Sequence, residues 1–194
     1  MTKLRILCIA LLTVSLPCWA QPPEPPVGYS GALVEYSDTS VTLKDNKAGK
    51  VINVAMTPGW FVSTAKDLTL EAIKPGSFVA TANTNVDAHT GKATELRIFE
   101  AGYRPEEGTH EIARPNTSMT HGTVDTATQH DTGLELAVVY PSGSRRIIVP
   151  PDVKVTGYDV HERSVLKPGA TVTAITRKGS DGVPRAGRLL LSNQ

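Results

Sequence analysis

The sequence predicts an all-β protein of two tandem, OB-like, five-stranded barrels, with at most one short helix in each. Three observations carry that expectation. The phrase Ile73-Lys74-Pro75-Gly76-Ser77-Phe78-Val79 returns 93 positions later as Leu166-Lys167-Pro168-Gly169-Ala170-Thr171-Val172. Around both copies the apolar runs are short, rich in Val, Thr and Ile, roughly alternating, and separated by Gly, Asn and Asp, which is how strands of a small barrel or sandwich read. Five landmarks also keep offsets of 91 to 94, the echo expected of a duplicated supersecondary unit.

Met1 to Ala20 reads as a secretory signal peptide. Lys3 and Arg5 form a positive start, Ile6 to Leu16 an apolar core, and Cys18-Trp19-Ala20 a small-residue cleavage site. The apolar core is shorter than the roughly 20 residues that span a bilayer, so a periplasmic or secreted protein is expected, with no membrane span. An acylated Cys18 is the competing reading, and Pro17 stands where that signal needs a small residue. Both cysteines, Cys8 and Cys18, lie in this leader. The exported chain therefore has no disulfide, thiolate metal site or cysteine nucleophile and must fold by burial alone. Losing Lys3 and Arg5 from the 20 basic residues leaves 18 against 19 acidic ones, a balance without the basic footprint that nucleic acid or an acidic membrane would require.

Residues 21–30 begin Gln-Pro-Pro-Glu-Pro-Pro, a short polyproline-II tail. Residues 31–99 read as the first barrel repeat: Gly31 to Val34, Val41 to Leu43 and Val51 to Val54 as strands, with Pro58 closing the third. Leu70 and Ile73 lie three apart, which suggests a helical turn just before Lys74-Pro75-Gly76. Proline at φ near −65° followed by a positive-φ glycine makes that tripeptide a type II turn, and two strands follow, the second at Ala93 to Ile98. Residues 100–120 form a linker with two prolines and little apolar periodicity; connections of this length tend to be functional or flexible. Residues 121–191 repeat the first barrel, with Asp159 to Leu166 read as a turn rather than a helix. A plain β-sandwich is the competing architecture, but closing each sheet would hide the edges of strands this short.

From Ile98-Phe99-Glu100 through Glu107-Gly108-Thr109-His110 and Ser118-Met119-Thr120-His121-Gly122 to Leu166-Lys167-Pro168-Gly169-Ala170, the chain resembles a family of exported proteobacterial proteins with tandem OB-like repeats and no assigned function. Two departures from its pattern are Thr109, which interrupts Glu-Gly-His, and His121, which stands where the family has Asn. Each barrel is also loosely similar to small periplasmic copper-binding OB domains, a likeness of fold alone.

No catalytic constellation stands out. Gly28-Tyr29-Ser30-Gly31 lacks the spacing of a nucleophile elbow, His110-Glu111 has Arg114 where a zincin needs its second His, and Gly91-Lys92 has no upstream phosphate-loop glycine. A non-enzymatic binding or scaffolding module of the envelope is therefore expected, with an unknown envelope protein or ligand held at the linker from Tyr103 to Met119 and between the barrels. A copper site made by His110, Met119 and His121 is the alternative. Thioether and imidazole suit copper in an oxidising compartment, and Met119 and His121 share one side if extended, with Glu107 and His130 nearby in sequence. The competing expectation is that Met119 plugs a barrel entrance and that the histidines are solvated loop residues. Met56 and Trp60 read as core in the same way, and Arg145-Arg146 as a solvated hairpin pair. Stacking aromatics for nucleic acid are too scattered.

Overall fold

A computed structural model describes residues 26–100, 103–112 and 114–192. The stretch expected to be a signal peptide, with its two cysteines, and the first half of the proline-rich tail lie outside them. The described chain is nearly all β. Its strands are β1 (Val27–Tyr36), β2 (Ser40–Asp45), β3 (Val51–Leu68), β4 (Phe78–Asn85), β5 (Thr90–Ile98), β6 (Gly108–Glu111), β7 (Thr117–His130), β8 (Gly133–Tyr140), β9 (Gly143–Val149), β10 (Lys154–His161), β11 (Thr171–Lys178) and β12 (Pro184–Leu191). The helical turn expected before the first Lys-Pro-Gly is one 3₁₀ turn, at Leu70–Ala72, and a matching 3₁₀ turn, at Arg163–Val165, precedes the second, where a plain turn was expected.

Strand pairing closes a five-stranded barrel, but not from the contiguous residues 31–99. β1, β2 and β3 are completed by β11 and β12, with β3 and β12 parallel. A second five-membered circuit joins β7, β8 and β9 to β4 and β5, with β5 and β9 parallel. Each half of the chain thus lends its last two strands to the other half's first three. The apolar clusters divide the same way: Leu43, Trp60 and Val62 pack with Val172 and Leu189 in the first circuit, and Leu96 and Val79 with Leu136 and Ile147 in the second. Each such side chain, fully buried, contributes on the order of 1.5–3 kcal/mol.

The cause of the exchange is the length of β3. Pro58 was expected to end the third strand; instead β3 runs on to Leu68, 18 residues in all, or roughly 60 Å at strand rise. Pro58 lacks an N–H and Gly59 has φ 75°, so the two form a bulge, and pairing to β12 slips there from Met56 to Phe61. A bulge bends a strand without reversing it. The chain therefore leaves the first circuit, and its Lys-Pro-Gly corner lands on the second. Gly76 N–H donates to Val124 O (2.8 Å) and Val124 N–H to Ser77 O (2.9 Å), while in the other direction Gly169 N–H donates to Leu33 O (2.7 Å) and Leu33 N–H to Ala170 O (2.8 Å).

Both corners are the expected turns. Gly76 and Gly169 have φ 85° and 86°, and Ser77 and Ala170 each bond back to the lysine carbonyl at 3.0 Å. In the second half, Pro150 and Pro151 divide the long strand into β9 and β10, so the stretch expected as a turn after Asp159 belongs partly to a strand. β10 pairs antiparallel with the end of β3 and parallel with β5, joining the circuits. Ala65 faces Tyr158 in that pairing, and 158 − 65 = 93 is the spacing of the two Lys-Pro-Gly corners.

Candidate functional site

The linker is not a free loop. Its first part lies across the waist between the circuits, where Tyr103 packs against Phe61 (ring centroids 5.8 Å) and Phe99 (5.4 Å), and Phe99 stacks on Tyr158 at 5.7 Å. The Arg188 guanidinium sits over Tyr103 and Tyr158 at 4.6 and 4.3 Å and pairs with Glu100 at 3.2 Å, their side chains only 9% and 5% exposed. Losing one partner of a buried pair strands the other charge, at about 3–5 kcal/mol. Aromatics that are scattered in sequence are thus gathered here, but to hold the linker down.

Further along the linker, β6 pairs with the start of β7, whose other edge pairs with β4, and the ribbon of β6 and β7 has two unlike faces. Residues directly opposite in an antiparallel pair project to the same side. His110 is opposite Met119, and Gly108 opposite His121, while Met119 and His121 are two apart on β7. All three predicted metal-site residues therefore share the outer face. Gly108 leaves room for the His110 ring, whose Nε2 would lie 3.4 Å from a side-chain carbon there. His121 Nδ1 is 2.9 Å from the Glu106 carbonyl. A carbonyl only accepts, so Nδ1 carries the proton and the Nε2 lone pair is left for another partner. Burial holds the His121 imidazole below its ordinary pKa, and the Arg177 and His110 charges add to this, against the opposing pull of Glu106.

Met119 does not plug a barrel entrance; it is half-buried on this outer face. His130, exposed at the β7–β8 hairpin, is nine residues along the strand from His121, roughly 30 Å. Glu107 precedes the ribbon. Among the described residues no three His, Cys, Asp or Glu side chains group as metal ligands; a site here needs the Met119 thioether as its third donor. Met56 and Trp60 belong to the first circuit's core, with Trp60 Nε1–H donating to Asp38 O at 3.1 Å.

The inner face of the ribbon walls a polar cleft of about 410 Å³ at the mouth of the second circuit. Thr109 and Glu111 of β6 face it, with Ser118 of β7, Asn85 of β4, Asp87 of the β4–β5 turn, and Arg145 of β9. Beneath Thr109 a chain of hydrogen bonds runs from Asn83 Nδ2 to Thr120 Oγ1 (3.2 Å), on to Thr109 Oγ1 (3.0 Å) and then to the Tyr140 hydroxyl (3.1 Å). The linker strand is thereby locked to both β4 and β8.

Arg145 was expected in a solvated pair and is instead only 7% exposed. It donates to Asn85 Oδ1 (2.6 Å), Thr90 O (3.3 Å) and Ala88 O (3.4 Å), all neutral oxygens, and its buried Nε–H has no acceptor. Strand alternation could have found it, since Arg145 falls in step with Ile147 and Val149, both core residues. Arg146, one position on, faces out and pairs with Glu135 at 3.7 Å.

No family model matches the chain, and no curated protein or solved structure shows significant similarity to it.

Proposed function

We propose that this protein is a non-enzymatic binding module of the cell envelope that takes a small polar ligand, or the exposed end of a partner, into the cleft walled by linker strand β6. The envelope location follows from the leader's sequence. The observation that carries the binding reading is the cleft itself: about 410 Å³ of open, polar space at one end of the second circuit, and the mouths of β-barrels are a common place for ligands. Glu111 is exposed on β6 and borders the cleft, so Glu111→Trp fills it without touching the core. In a thermal-shift screen of polar metabolites and short peptides, the expected result is a compound that raises the melting temperature of the wild type and leaves Glu111→Trp unmoved. A screen with no stabiliser, or one whose stabilisers act equally on the variant, overturns the reading.

A second reading rests on the outer face of the same ribbon. His110, Met119 and His121 lie together by register, and His121 offers a neutral Nε2 fixed by the bond its Nδ1 makes, the outer arrangement usual for metal-bound histidine. Two imidazoles and a thioether suit monovalent copper. Titration with cuprous ion under reducing conditions is expected to show one site that Met119→Leu combined with His121→Asn abolishes. Retention of the ion by that double variant excludes the site.

A further inference from the structure

Among the described residues, Arg188, Arg163 and Arg145 hold guanidinium groups largely withdrawn from water, and the first two have a carboxylate. Arg188 has Glu100 at 3.2 Å, and Arg163, 29% exposed, has Asp38 at 2.7 Å. Arg145, whose residue is 7% exposed, has no carboxylate within ion-pair distance among the described residues and bonds only to an amide and two backbone carbonyls. A buried charge without an opposite charge is costly. Of its five N–H donors, three are used and two are open, one of them the buried Nε–H. Two of the bonds in use, at 3.3 and 3.4 Å, are long enough for a stronger acceptor to replace them. This side chain forms the floor of an open cleft, and the acids of that cleft stand at its rim: Glu111 is exposed on β6, and the exposed Asp87 is folded into its own turn, accepting from His89 N–H at 2.8 Å.

Building on the cleft-binding reading above, we infer that the ligand is a small zwitterion of the amino-carboxylate type, its carboxylate on Arg145 and its ammonium toward Glu111 and Asp87. A planar carboxylate matches the guanidinium fork and supplies the missing counter-charge. The rim decides the rest of the molecule. A dianion or an acid without a cationic group meets two carboxylates on entry, whereas an ammonium is attracted by them. An uncharged sugar would fit the volume and leave Arg145 uncompensated.

The test is calorimetric titration of the chain from Gln21 onward, which contains every described residue, with a panel of free L-amino acids and glycylglycine. Three controls accompany it: the corresponding amines, the N-acetylated acids, and uncharged sugars. At least one zwitterion is expected to bind, with its amine and N-acetyl counterparts at least tenfold weaker. Arg145→Gln is expected to weaken binding at least tenfold, and Arg145→Lys less than Gln does. Because Arg145 is buried, Glu111→Gln provides a second, surface variant: it is expected to narrow the gap between a zwitterion and its N-acetyl form. Binding of sugars or amines that Arg145→Gln leaves unchanged would overturn the zwitterion assignment while sparing the cleft. Failure of every zwitterion, while a compound from the broader screen still occupies the cleft in a manner sensitive to Glu111→Trp, would likewise reject the ligand class alone. If no compound of either set binds, both readings fall.

Discussion

His121 shows how much one side chain's surroundings decide. Its imidazole is covered by the linker and bonded to a backbone carbonyl, and burial lowers its pKa in the folded state. An unfolded imidazole titrates near 6.5, so as pH falls through about that value the unfolded chain takes up a proton that the folded protein refuses. Stability from this group is therefore complete above about pH 6.5 and declines as the medium becomes more acidic. The His121 ring resonances are expected to titrate below the ordinary imidazole range, and His121→Asn is expected to flatten the fall in melting temperature between about pH 7 and pH 5. An ordinary midpoint would mean that the linker does not cover the ring. The same burial keeps the ring neutral near pH 7, as a metal ligand must be. Arg145 illustrates the residue scale from the other side. Its place in the cleft was legible in principle from alternation with Ile147 and Val149, yet a basic pair beside a Gly-Ser turn reads as solvent-facing, and only its 7% exposure shows which arginine of the two turns in.

At the scale of elements, glycines mark where strands cross. Gly31 and Gly122 lie at corresponding places within β1 and β7, and a side-chain carbon at either would run into a neighbouring strand's backbone, at Lys44 O and Val139 O respectively. Gly122→Ala is expected to destabilise by about 1–3 kcal/mol, as overpacking does, measured by denaturant titration. Gly28, with nothing within 4 Å of the same position, is the control: Gly28→Ala is expected to be neutral or slightly stabilising. Equal effects at the two sites would show that the strands do not approach so closely. The strands and the two Lys-Pro-Gly corners were readable because alternation and turn chemistry are local. β6 was not, since four residues flanked by prolines and charges carry no period; it is a strand because β7 offers it an unpaired edge. The run of β3 past Pro58 was hidden for a related reason. Proline forbids one ladder bond, and whether the chain stops or bulges there depends on what lies beyond it.

The whole molecule depends on the exchange of strands. Neither half closes its own five-membered circuit, and each half's last two strands complete the core of the other. Residues 21–99 and 103–194, produced separately, are expected not to behave as stable monomers: each either stays unfolded or pairs with a second copy by the same exchange. Mixed at equal concentration, they are expected to reconstitute a one-to-one complex with native-like circular dichroism. Cooperative unfolding of either fragment as a monomer, seen by sedimentation and denaturation together, would show that each half can close on itself. The cleft depends on this exchange too, since β4 and the β4–β5 turn come from the first half and β6, β7 and β9 from the linker and the second.

The sequence by itself determined the all-β class, the corners that turn each half, the apolar faces that fill a five-stranded barrel, and that Met119 and His121 share one side of an extended strand; His110 joins them only through the pairing of β6 with β7. These follow from steric and solvation preferences that act over a few residues. Only the tertiary structure decided which strands close which circuit and that Arg145 lies at the floor of a cleft. The edges the two halves present are chemically alike, so a corner that can bond to Leu33 can equally bond to Val124. Between such equivalent partners no local preference chooses; the reach of β3 beyond Pro58 does.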